Sequence, residues 1–318
     1  MQFAYVDGVI AAARTRHLYT RSTHGYDSEV AVTFRFAKYE GLGNDFVVVS
    51  GQNVTEIHLG PAQAAAICDR HLGVGADGLL VTGVVEGRPY MRILNADGSE
   101  PEMCGNGLRC VALHLIRTGI VTDRSFVVDT AAGPHACEVL DAGDVGHVEV
   151  DMRVPSLEPA DVPVDSPTPL RDAPMSFDGF TLRVTAVSMG NPHVVTFDAV
   201  SAEARRELGP RIEADQRFAH RVNVGFATAV REGELELAVF ERGVGWTRAC
   251  GTGACAAAVA AVETGRAKRH RPISIELPGG RLVVRVGESG ERVRMMGPAR
   301  HVFDGELELE RLLVPSNR

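Results

Sequence analysis

The 318-residue chain has very little lysine: arginine supplies nearly all of its positive charge, and only Lys38 and Lys268 depart from that rule. An enzyme that uses pyridoxal phosphate needs a lysine side chain to form the Schiff base with its cofactor. With two candidates in the whole chain, that class of enzyme is disfavoured without being excluded.

Cysteine is also sparse, with six in the chain, and none belongs to a Cys-x-x-Cys pair of the kind found in zinc ribbons. Small proteins held together by disulfides have a much higher density of cysteine. We therefore expect reduced thiols, a cytoplasmic protein and no metal ion.

The sequence lacks both a long apolar run and a basic stripe. No stretch approaches the roughly 18 apolar residues that span a bilayer, and the formal net charge is −8. These features argue against a membrane protein and against nucleic acid as a partner. A length of 318 residues favours two domains.

Residues 1–33 differ in character from the rest and show no clear period. A secretory signal needs a longer apolar core and a cleavage site of small residues. Asp7, Asp27 and Glu29 argue against a transit peptide. We expect a poorly ordered N-terminal extension.

Two stretches share an uncommon pattern. Residues 103–119 read MCGNGLRCVALHLIRTG and residues 248–265 read RACGTGACAAAVAAVETG, so Cys104 and Cys250 each open a Cys-Gly-x-Gly turn before an apolar run. Their separation of 146 positions (250 − 104) recurs, within one position, in three further pairs: Asn44 with Asn191, Asp77 with Asn223, and Asn95 with Glu241. A fixed internal period signals repeated architecture, so we infer two homologous halves with one such cysteine each.

The rest of the chain predicts many strands and a few helices. Runs rich in β-branched residues and punctuated by glycine predict strands in both halves. PAQAAAICDRH and the run after each Cys-Gly-x-Gly predict helices, and SAEARRELGPRIE predicts a helix broken at its Gly-Pro pair. The apolar run from Ala254 to Val262 predicts a centrally buried helix. The proline-rich residues 153–174 predict the connection between the halves.

A cysteine at the start of a helix is well placed to become a thiolate. The first turn carries unpaired N–H groups and a partial positive charge, which lower the pKa of a thiol. The following glycines let backbone N–H groups approach an anion such as a carboxylate. We predict that Cys104 and Cys250 are easily ionised thiols, each beside a carboxylate cradle.

Two such sites facing each other would invert a carbon centre. One thiolate removes a proton from one face of the carbon, and one thiol delivers a proton to the other face. This chemistry needs neither a redox cofactor nor a metal, so we predict no cofactor.

Other roles for the cysteines stay open at this point. Oxidation could join the two in a disulfide, which we interpret as an inactive form. His193 could form a nucleophilic pair with one cysteine, although that does not account for the second. The other four cysteines are interpreted as inert buried thiols; they are Cys68, Cys110, Cys137 and Cys255.

The motifs KYEGLGNDF, GVGADG, NADGSEPEMCGNGLRC, GNPH, RVNVGFA, ERGVG and ACGTGACA closely resemble the diaminopimelate epimerase family. The resemblance implies an α/β (α+β) fold of two pseudo-symmetric domains, each a β-barrel-like sheet around a central helix. It places an N-terminal domain over residues 34–150, a C-terminal domain over 151–290, and a segment over 291–318 that returns to the first domain. It also implies a homodimer that interconverts LL- and meso-2,6-diaminopimelate, on the route to lysine and peptidoglycan.

The resemblance assigns roles to individual residues. Cys104 and Cys250 match the catalytic cysteines, the first acting as base towards the LL isomer and the second towards the meso isomer. The cradle for the carboxylate at the reacting carbon matches Gly105, Asn106, Gly251 and Thr252. The far end of the substrate is read by residues that match Asn44, Asn95, Asn191, Asn223 and Arg242. His193 and Glu241 match residues that tune the thiols, and Glu241 could instead bind the substrate ammonium.

Two positions depart from the family pattern: Trp246 stands where glutamate is frequent, and Gly78 where some members have glutamine. The tryptophan could alter loop packing, a dimer contact or the distal pocket. Two other functions stay open: a same-fold racemase or epimerase of another amino acid, such as histidine or lysine, and a non-catalytic protein that binds a diamino diacid. The retained Asn95, Asn223 and Arg242 argue against the first, and the paired thiols argue against the second.

Overall fold

The structure is a computed structural model that describes residues 33–51 and 59–308. The predicted N-terminal extension lies, apart from residue 33, outside the described residues. Within them the strands are β1 Thr33–Gly41, β2 Asn44–Ser50, β3 Gly78–Val85, β4 Arg88–Asn95, β5 Ser125–Thr130, β6 Gly133–Asp141, β7 Val145–Asp151, β8 Ala173–Phe177, β9 Phe180–Ser188, β10 Pro192–Thr196, β11 Asn223–Arg231, β12 Glu234–Glu241, β13 Gly245–Trp246, β14 Ile273–Leu277, β15 Gly280–Arg285 and β16 Arg294–Glu308. The helices are α1 Pro61–Cys68, α2 Gly105–Arg117, α3 Ala202–Glu213 and α4 Gly251–Glu263. None of these helices is long and apolar enough to cross a membrane.

Strands and helices recur in the same order in the two halves. The series β2, α1, β3, β4, α2, β5 and β6 is matched by β10, α3, β11, β12, α4, β14 and β15. The direction of pairing recurs as well: β2–β3 and β10–β11 are parallel, whereas β3–β4 and β11–β12 are antiparallel. The predicted mixed α/β class with a repeated architecture is confirmed.

One continuous path of paired strands carries both barrel-like sheets. It runs from β1 to β7, crosses to β16, and continues through β15, β14, β12, β11, β10 and β9 to β8. The strand β16 pairs with β7 over its first residues and with β1 over its last ones, which closes the first sheet on itself. It also pairs with β15 of the second half. The domain limits given above stay predictions.

A buried helix fills the inside of each sheet. Helix α2 packs against β1, β6, β7 and β16, while α4 packs against β9, β10, β11 and β15. Residues Ala254 to Ala261 of α4 are alanine, cysteine and valine, and all of them are buried. An apolar surface on every face is what a helix surrounded by strands requires. Helix α2 is as deeply buried, although Arg109 and His114 interrupt its apolar surface.

The predicted break in the third helix is wrong. Helix α3 runs unbroken through Gly209 and Pro210. A proline inside a helix costs about 3 kcal/mol, because it removes a backbone hydrogen bond and crowds the preceding turn. The helix persists because Leu208 and Ile212 anchor it in the apolar core of the second half, and tertiary packing outweighs local propensity.

Gly209 accounts for the unusual Trp246. A β-carbon added at Gly209 would lie 3.1 Å from ring atoms of both Phe240 and Trp246, so the glycine leaves room for the two rings against α3. The Trp246 ring packs on Phe226 and Phe240, with centroids 5.9 and 5.4 Å away. None of these partners is a predicted site residue. We interpret Trp246 as a packing residue of the second half.

We expect Trp246→Ala to lower the free energy of unfolding by about 2 kcal/mol, roughly half the cost of deleting a fully buried ring, because 42% of the residue is exposed. Catalytic constants should not change. Urea unfolding measures the loss, and Val244→Ala, in the same turn but 73% exposed, is the control. Normal stability in Trp246→Ala, or a changed KM with intact stability, would contradict the packing role.

His114 is a polar residue buried inside α2. Its Nε2 lies 2.7 Å from Ser50 Oγ and its ring meets that of Tyr39 edge-on, but Nδ1 has no hydrogen-bond partner among the residues that the structure describes. Burial lowers the pKa of His114 from 6.5 to about 4. The folded state therefore keeps the ring neutral at a pH where the unfolded chain already binds a proton.

We expect the free energy of unfolding to fall as the pH drops from 6.5 towards the folded pKa of about 4, by about 1.4 kcal/mol per pH unit for one proton. Above that window His114 is neutral in both states and its contribution is constant. His114→Gln should remove this contribution to the pH dependence of the free energy of unfolding, leaving the contribution of other buried histidines. Chemical unfolding at a series of pH values measures it, with the exposed His147→Gln as control. Equal slopes in wild type and His114→Gln would refute the assignment.

Candidate active site

The two predicted catalytic cysteines cap the two central helices in the same way. Cys104 precedes α2 and Cys250 precedes α4, both with extended backbone. Each sulfur accepts a hydrogen bond from the third residue of its helix, at 3.5 Å from Gly107 N and 3.3 Å from Gly253 N. A β-carbon at Gly253 would lie 3.1 Å from the Cys250 sulfur. The glycine at this position therefore makes room for the sulfur of the cap.

The helix starts from the two halves meet around Met295 of β16. Its methyl group would lie 2.9 Å from a β-carbon at Gly105 and 3.3 Å from one at Gly251. Asn106, in the first turn of α2, donates to the carbonyl of Ala249 at 3.4 Å, directly before the second cysteine. The structure thus brings both capping cysteines to one junction between the halves.

In the first half an amide stands beside the cysteine. Asn44 Oδ1 lies 4.0 Å from the Cys104 sulfur and accepts a hydrogen bond from Asn106 Nδ2 at 3.2 Å. The Nδ2 of Asn44 donates to Asp77 Oδ2 at 2.8 Å, and Arg70 pairs with the same carboxylate at 2.7 Å. An acceptor on one side and a donor on the other fix the orientation of the Asn44 amide.

The second half has a matching arrangement. Asn191 Nδ2 lies 3.3 Å from Thr252 Oγ1, and that hydroxyl lies 3.6 Å from the Cys250 sulfur. His193 Nε2 lies 3.0 Å from Asn191 Oδ1. In each half an asparagine at the start of the equivalent strand therefore contacts the second residue of the central helix.

The remaining predicted binding residues lie at strand ends or directly beside them. Asn223 accepts a hydrogen bond from the backbone N–H of Arg242 at 3.0 Å, and the Arg242 guanidinium donates to the His220 carbonyl at 3.0 Å. Asn95 Nδ2 donates to Ser99 Oγ at 2.9 Å within its own turn. The structure joins Asn223 to Arg242, whereas the Asn95 amide is held locally.

Burial dominates the ionisation of both thiols. It raises the pKa of Cys104 above its usual range, and it raises that of Cys250 well above it. The N–H groups of Gly107 and Gly253 act in the opposite direction but are outweighed. The prediction of easily ionised thiols is therefore wrong, because loss of solvent has a larger effect than the helix terminus.

Glu241 makes the two thiols unequal. Burial raises the pKa of its carboxyl group, and its Oε1 accepts a hydrogen bond from the Thr247 hydroxyl at 2.5 Å. After burial, the Glu241 charge is the next cause that raises the pKa of Cys250. Two neighbouring acids resist holding two negative charges, so an anion is disfavoured most on the Cys250 side.

His193 is a neutral, buried ring. It is 2% exposed, and burial, with a further contribution from the Arg242 charge, lowers its pKa to about 3. The contact of its Nε2 is the Asn191 amide. This geometry supports a role in orienting Asn191 and argues against the cysteine–histidine nucleophilic pair considered above.

The four other cysteines are free and buried. Burial raises the pKa of Cys68 to about 11 and those of Cys137 and Cys255 to about 12, and it raises that of Cys110 as well. Thiols that ionise so reluctantly are poor nucleophiles at neutral pH. Their chemistry agrees with the prediction of inert core residues.

Comparison with known sequences decides the family. The sequence profile described as diaminopimelate epimerase matches residues 36–157 and 185–302. A protein named diaminopimelate epimerase from Desulforudis audaxviator (strain MP104C) is 46% identical over 274 residues, which covers 85% of this chain and 98% of that protein. The protein of the same name from Synechocystis is 43% identical over 280 residues, covering 86% and 99%. The chain belongs to the diaminopimelate epimerase family.

Solved structures share the fold of this epimerase. A phenazine biosynthesis protein of the PhzF family from Bacillus anthracis has a TM-score of 0.62 at 16% identity, covering 87% of this chain and 99% of that one. A hydroxyproline epimerase from Agrobacterium vitis has a TM-score of 0.61 at 15% identity, covering 86% and 92%. At such identities the likeness shows the fold alone. The fold and enzyme class that the sequence motifs imply, an isomerase of the epimerase type, are confirmed.

Sequence reasoning overlooked two residues that shape the epimerase site. Arg109 donates to Asn106 Oδ1 at 2.9 Å from within α2, and Met295 separates the helix starts. A signal for Arg109 was present, since it is a charged residue on an apolar helix five positions after the cysteine (109 − 104). Met295 carries no such signal. The Gly78 departure has a local reason, because a β-carbon there would lie 3.0 Å from the Leu94 carbonyl oxygen.

The turn between β1 and β2 reaches across to the second half. A β-carbon at Gly279 would lie 2.1 Å from the carbonyl oxygen of Leu42 and 3.0 Å from that of Arg248. The backbone N–H of Gly279 donates to the same Arg248 carbonyl at 2.8 Å. Because Asn44 follows this turn and Cys250 follows Arg248, the contact helps to set the spacing between the two sides of the site.

We expect Gly279→Ala to lower the kcat of the epimerase about a hundredfold, since a displacement of about 1 Å is enough to spoil proton transfer. The new methyl group cannot coexist with the Leu42 carbonyl, so the turn that carries Asn44 must retreat. Steady-state kinetics together with circular dichroism separates this effect from unfolding. Gly143→Ala is the control, because its nearest atom would be a flexible side chain 3.5 Å away. Wild-type kcat in Gly279→Ala would rule out this role for the turn.

Proposed function

We propose that this chain is a cofactor-independent epimerase that interconverts LL- and meso-2,6-diaminopimelate, in the synthesis of lysine and peptidoglycan precursors. The observation that carries the proposal is the pair of cysteine-capped helices, one from each half, that meet around Met295. The family membership supplies the substrate class.

The two thiols act as a base and an acid on opposite faces of one carbon. From the LL side, Cys104 as thiolate takes the proton on the α-carbon, and the electron pair of that C–H bond stays on the carbon. The thiol of Cys250 then gives its proton to the other face and becomes the thiolate. From the meso side the roles reverse. Nothing is oxidised or reduced, and the configuration at the carbon is inverted.

Burial suits the thiols to this task. The proton on the α-carbon of an amino acid is weakly acidic, and a base whose conjugate acid has a high pKa removes such a proton more readily. The raised pKa values of Cys104 and Cys250 therefore make strong bases, provided that one thiolate forms. We propose that His193 and Glu241 tune that step from the second half.

The starts of α2 and α4 hold the carboxylate at the reacting carbon. The first N–H groups of a helix have no partner within the helix, and they attract negative charge. We assign this cradle to Gly105, Asn106, Gly251 and Thr252. It would also stabilise the charge that develops on the carboxylate when the proton leaves.

The far end of the substrate carries a second ammonium and a second carboxylate, and it needs polar partners of its own. We assign Arg242 to the carboxylate, because a guanidinium can bind one with two hydrogen bonds. Amides can accept from an ammonium and donate to a carboxylate, which suits Asn44, Asn95, Asn191 and Asn223. Glu241 is the alternative partner for an ammonium.

We further propose a homodimer in the cytoplasm. The mechanism needs one thiol and one thiolate, and a reducing compartment keeps both from oxidation. Val302 and Phe303 are half-exposed neighbours on β16 and offer apolar surface for a second copy. Sedimentation equilibrium that finds a monomer at micromolar concentration would disprove the dimer.

The first test is turnover in D2O. Reduced protein is given LL-diaminopimelate with no cofactor, and both the meso product and the deuterium at the inverted carbon are followed. We expect meso product with deuterium at that carbon. Folded protein that gives neither product nor exchange would disprove this substrate, and the next assay would use other amino acids. Binding without exchange would favour the non-catalytic alternative.

The cysteines are tested one at a time. We expect Cys104→Ala and Cys250→Ala each to lower epimerisation by about a thousandfold or more, because each face of the carbon needs its own proton carrier. Cys137→Ala, which removes a buried thiol outside the junction, is the control. Near-normal turnover in either of the first two variants would end the two-base mechanism.

A further inference from the structure

Arg109 is a wholly buried cation without an acidic partner. Its exposed fraction is 0%, and no carboxylate of the described residues lies within ion-pair distance of its guanidinium, although that part of the chain holds more than twenty such pairs. An arginine keeps its charge in proteins, and a buried charge without a counter-charge is strongly disfavoured. The two-thiol mechanism above gives this residue no task.

The surroundings of Arg109 are built to hold it. Its Nη2 donates to Asn106 Oδ1 at 2.9 Å, and its Nε donates to the Pro298 carbonyl at 3.2 Å. β-Carbons at Gly41 and Gly297 would lie 3.2 and 3.1 Å from guanidinium atoms, so glycines line the space around it. The guanidinium is therefore fixed one turn behind the start of α2.

The Arg109 guanidinium is connected to the active site through its hydrogen bond to Asn106. Because Arg109 occupies Oδ1, the Nδ2 of Asn106 must point the other way, where it contacts Asn44 Oδ1 at 3.2 Å and the Ala249 carbonyl at 3.4 Å. Asn44 Oδ1 in turn lies 4.0 Å from the Cys104 sulfur. One side chain thus orients the amides on the Cys104 side of the junction.

The position equivalent to Arg109 in the second half carries no charge. In α4 the position equivalent to Arg109, five residues after the capping cysteine (255 − 250), is the neutral Cys255. The reverse holds at the strand ends, where Glu241 in the second half matches Asn95 in the first. The repeated architecture therefore carries a positive charge on the Cys104 side and an acid on the Cys250 side.

We propose that Arg109 is a positioning residue that makes Cys104, rather than Cys250, the thiolate of the resting enzyme. Its charge stabilises a sulfur anion at the start of the same helix. Its hydrogen bond orients the Asn106 side-chain amide, which in turn contacts Asn44 beside that sulfur. This proposal rests on the two-thiol function stated above.

Ionisable groups on several elements act on Cys104 and on Arg109, in both directions. Against burial, the Arg109 charge lowers the pKa of Cys104, while Glu241 of β12 raises it. Burial lowers the pKa of the Arg109 guanidinium. Cys110 and Cys104 of α2, Cys255 of α4 and Glu40 of β1 act in the opposite direction. Burial, followed by the Glu241 charge, raises the pKa of Cys250 well above its usual range.

The test is site-resolved alkylation of the whole protein with iodoacetamide over a range of pH, read by mass spectrometry of the two cysteine peptides. The midpoint of the pH profile reports ionisation, whereas accessibility changes only the rate. In the wild type we expect a lower midpoint for Cys104 than for Cys250. In Arg109→Met the Cys104 midpoint should rise by about one pH unit or more, the effect of losing a nearby opposite charge, while the Cys250 midpoint stays.

Two further variants separate charge from shape. Arg109→Lys keeps the charge, so the Cys104 midpoint should stay near that of the wild type. It loses the guanidinium hydrogen bond to Asn106, so KM should rise. Arg117→Met removes an exposed arginine from the same helix and should change neither value.

Either of two results would overturn the proposal. The first is a wild-type Cys104 midpoint equal to or above that of Cys250. The second is an unchanged Cys104 midpoint in folded Arg109→Met. If Arg109→Met does not fold, the wild-type order of midpoints and the pH profile of Arg109→Lys still test the proposal. Because the midpoints are measured without diaminopimelate, failure here is distinct from failure of the proposed reaction, which the D2O assay reports.

Discussion

The structure depends on one constraint: two helices must begin inside the protein, with their first residues packed around Met295. The start of a helix presents N–H groups that the helix itself cannot satisfy, and at the surface water would take them. Here each capping sulfur takes one. Glycines at the first helical positions follow from the same constraint, since a β-carbon would meet Met295. At the third positions a β-carbon would meet the Cys250 sulfur in α4 and Leu80 in α2.

Burial has two opposing effects in this site. It suppresses ionisation of both thiols, which would seem to work against catalysis, yet it also makes whichever thiolate forms a stronger base. The repeated fold on its own would give the two thiols equal surroundings. Arg109 and Glu241, whose equivalents in the other half are the neutral Cys255 and Asn95, make the surroundings unequal. Function in this fold therefore depends on where the repeat is broken as much as on where it is kept.

The sequence predicts this molecule well where the determining interactions are local. The Cys-Gly-x-Gly turns locate both central helices, and the spacing of 146 positions (250 − 104) reveals the repeat, because capping and periodicity act within a few residues. Predictions fail where distant residues decide. Pro210 stays helical because Leu208 and Ile212 are anchored by the core, and the thiols resist ionisation because whole strands exclude water around them. Arg109 looks like an interruption of an apolar helix until its partner Asn106 and the carbonyl of Pro298 are seen together.

The strand β16 has a consequence for how such a protein can be divided. It follows the second half in the chain, yet it fills the gap between β7 and β1 of the first sheet. The first sheet is therefore not built from one contiguous stretch of the chain, and a fragment cut after β7 would leave a barrel with an open seam.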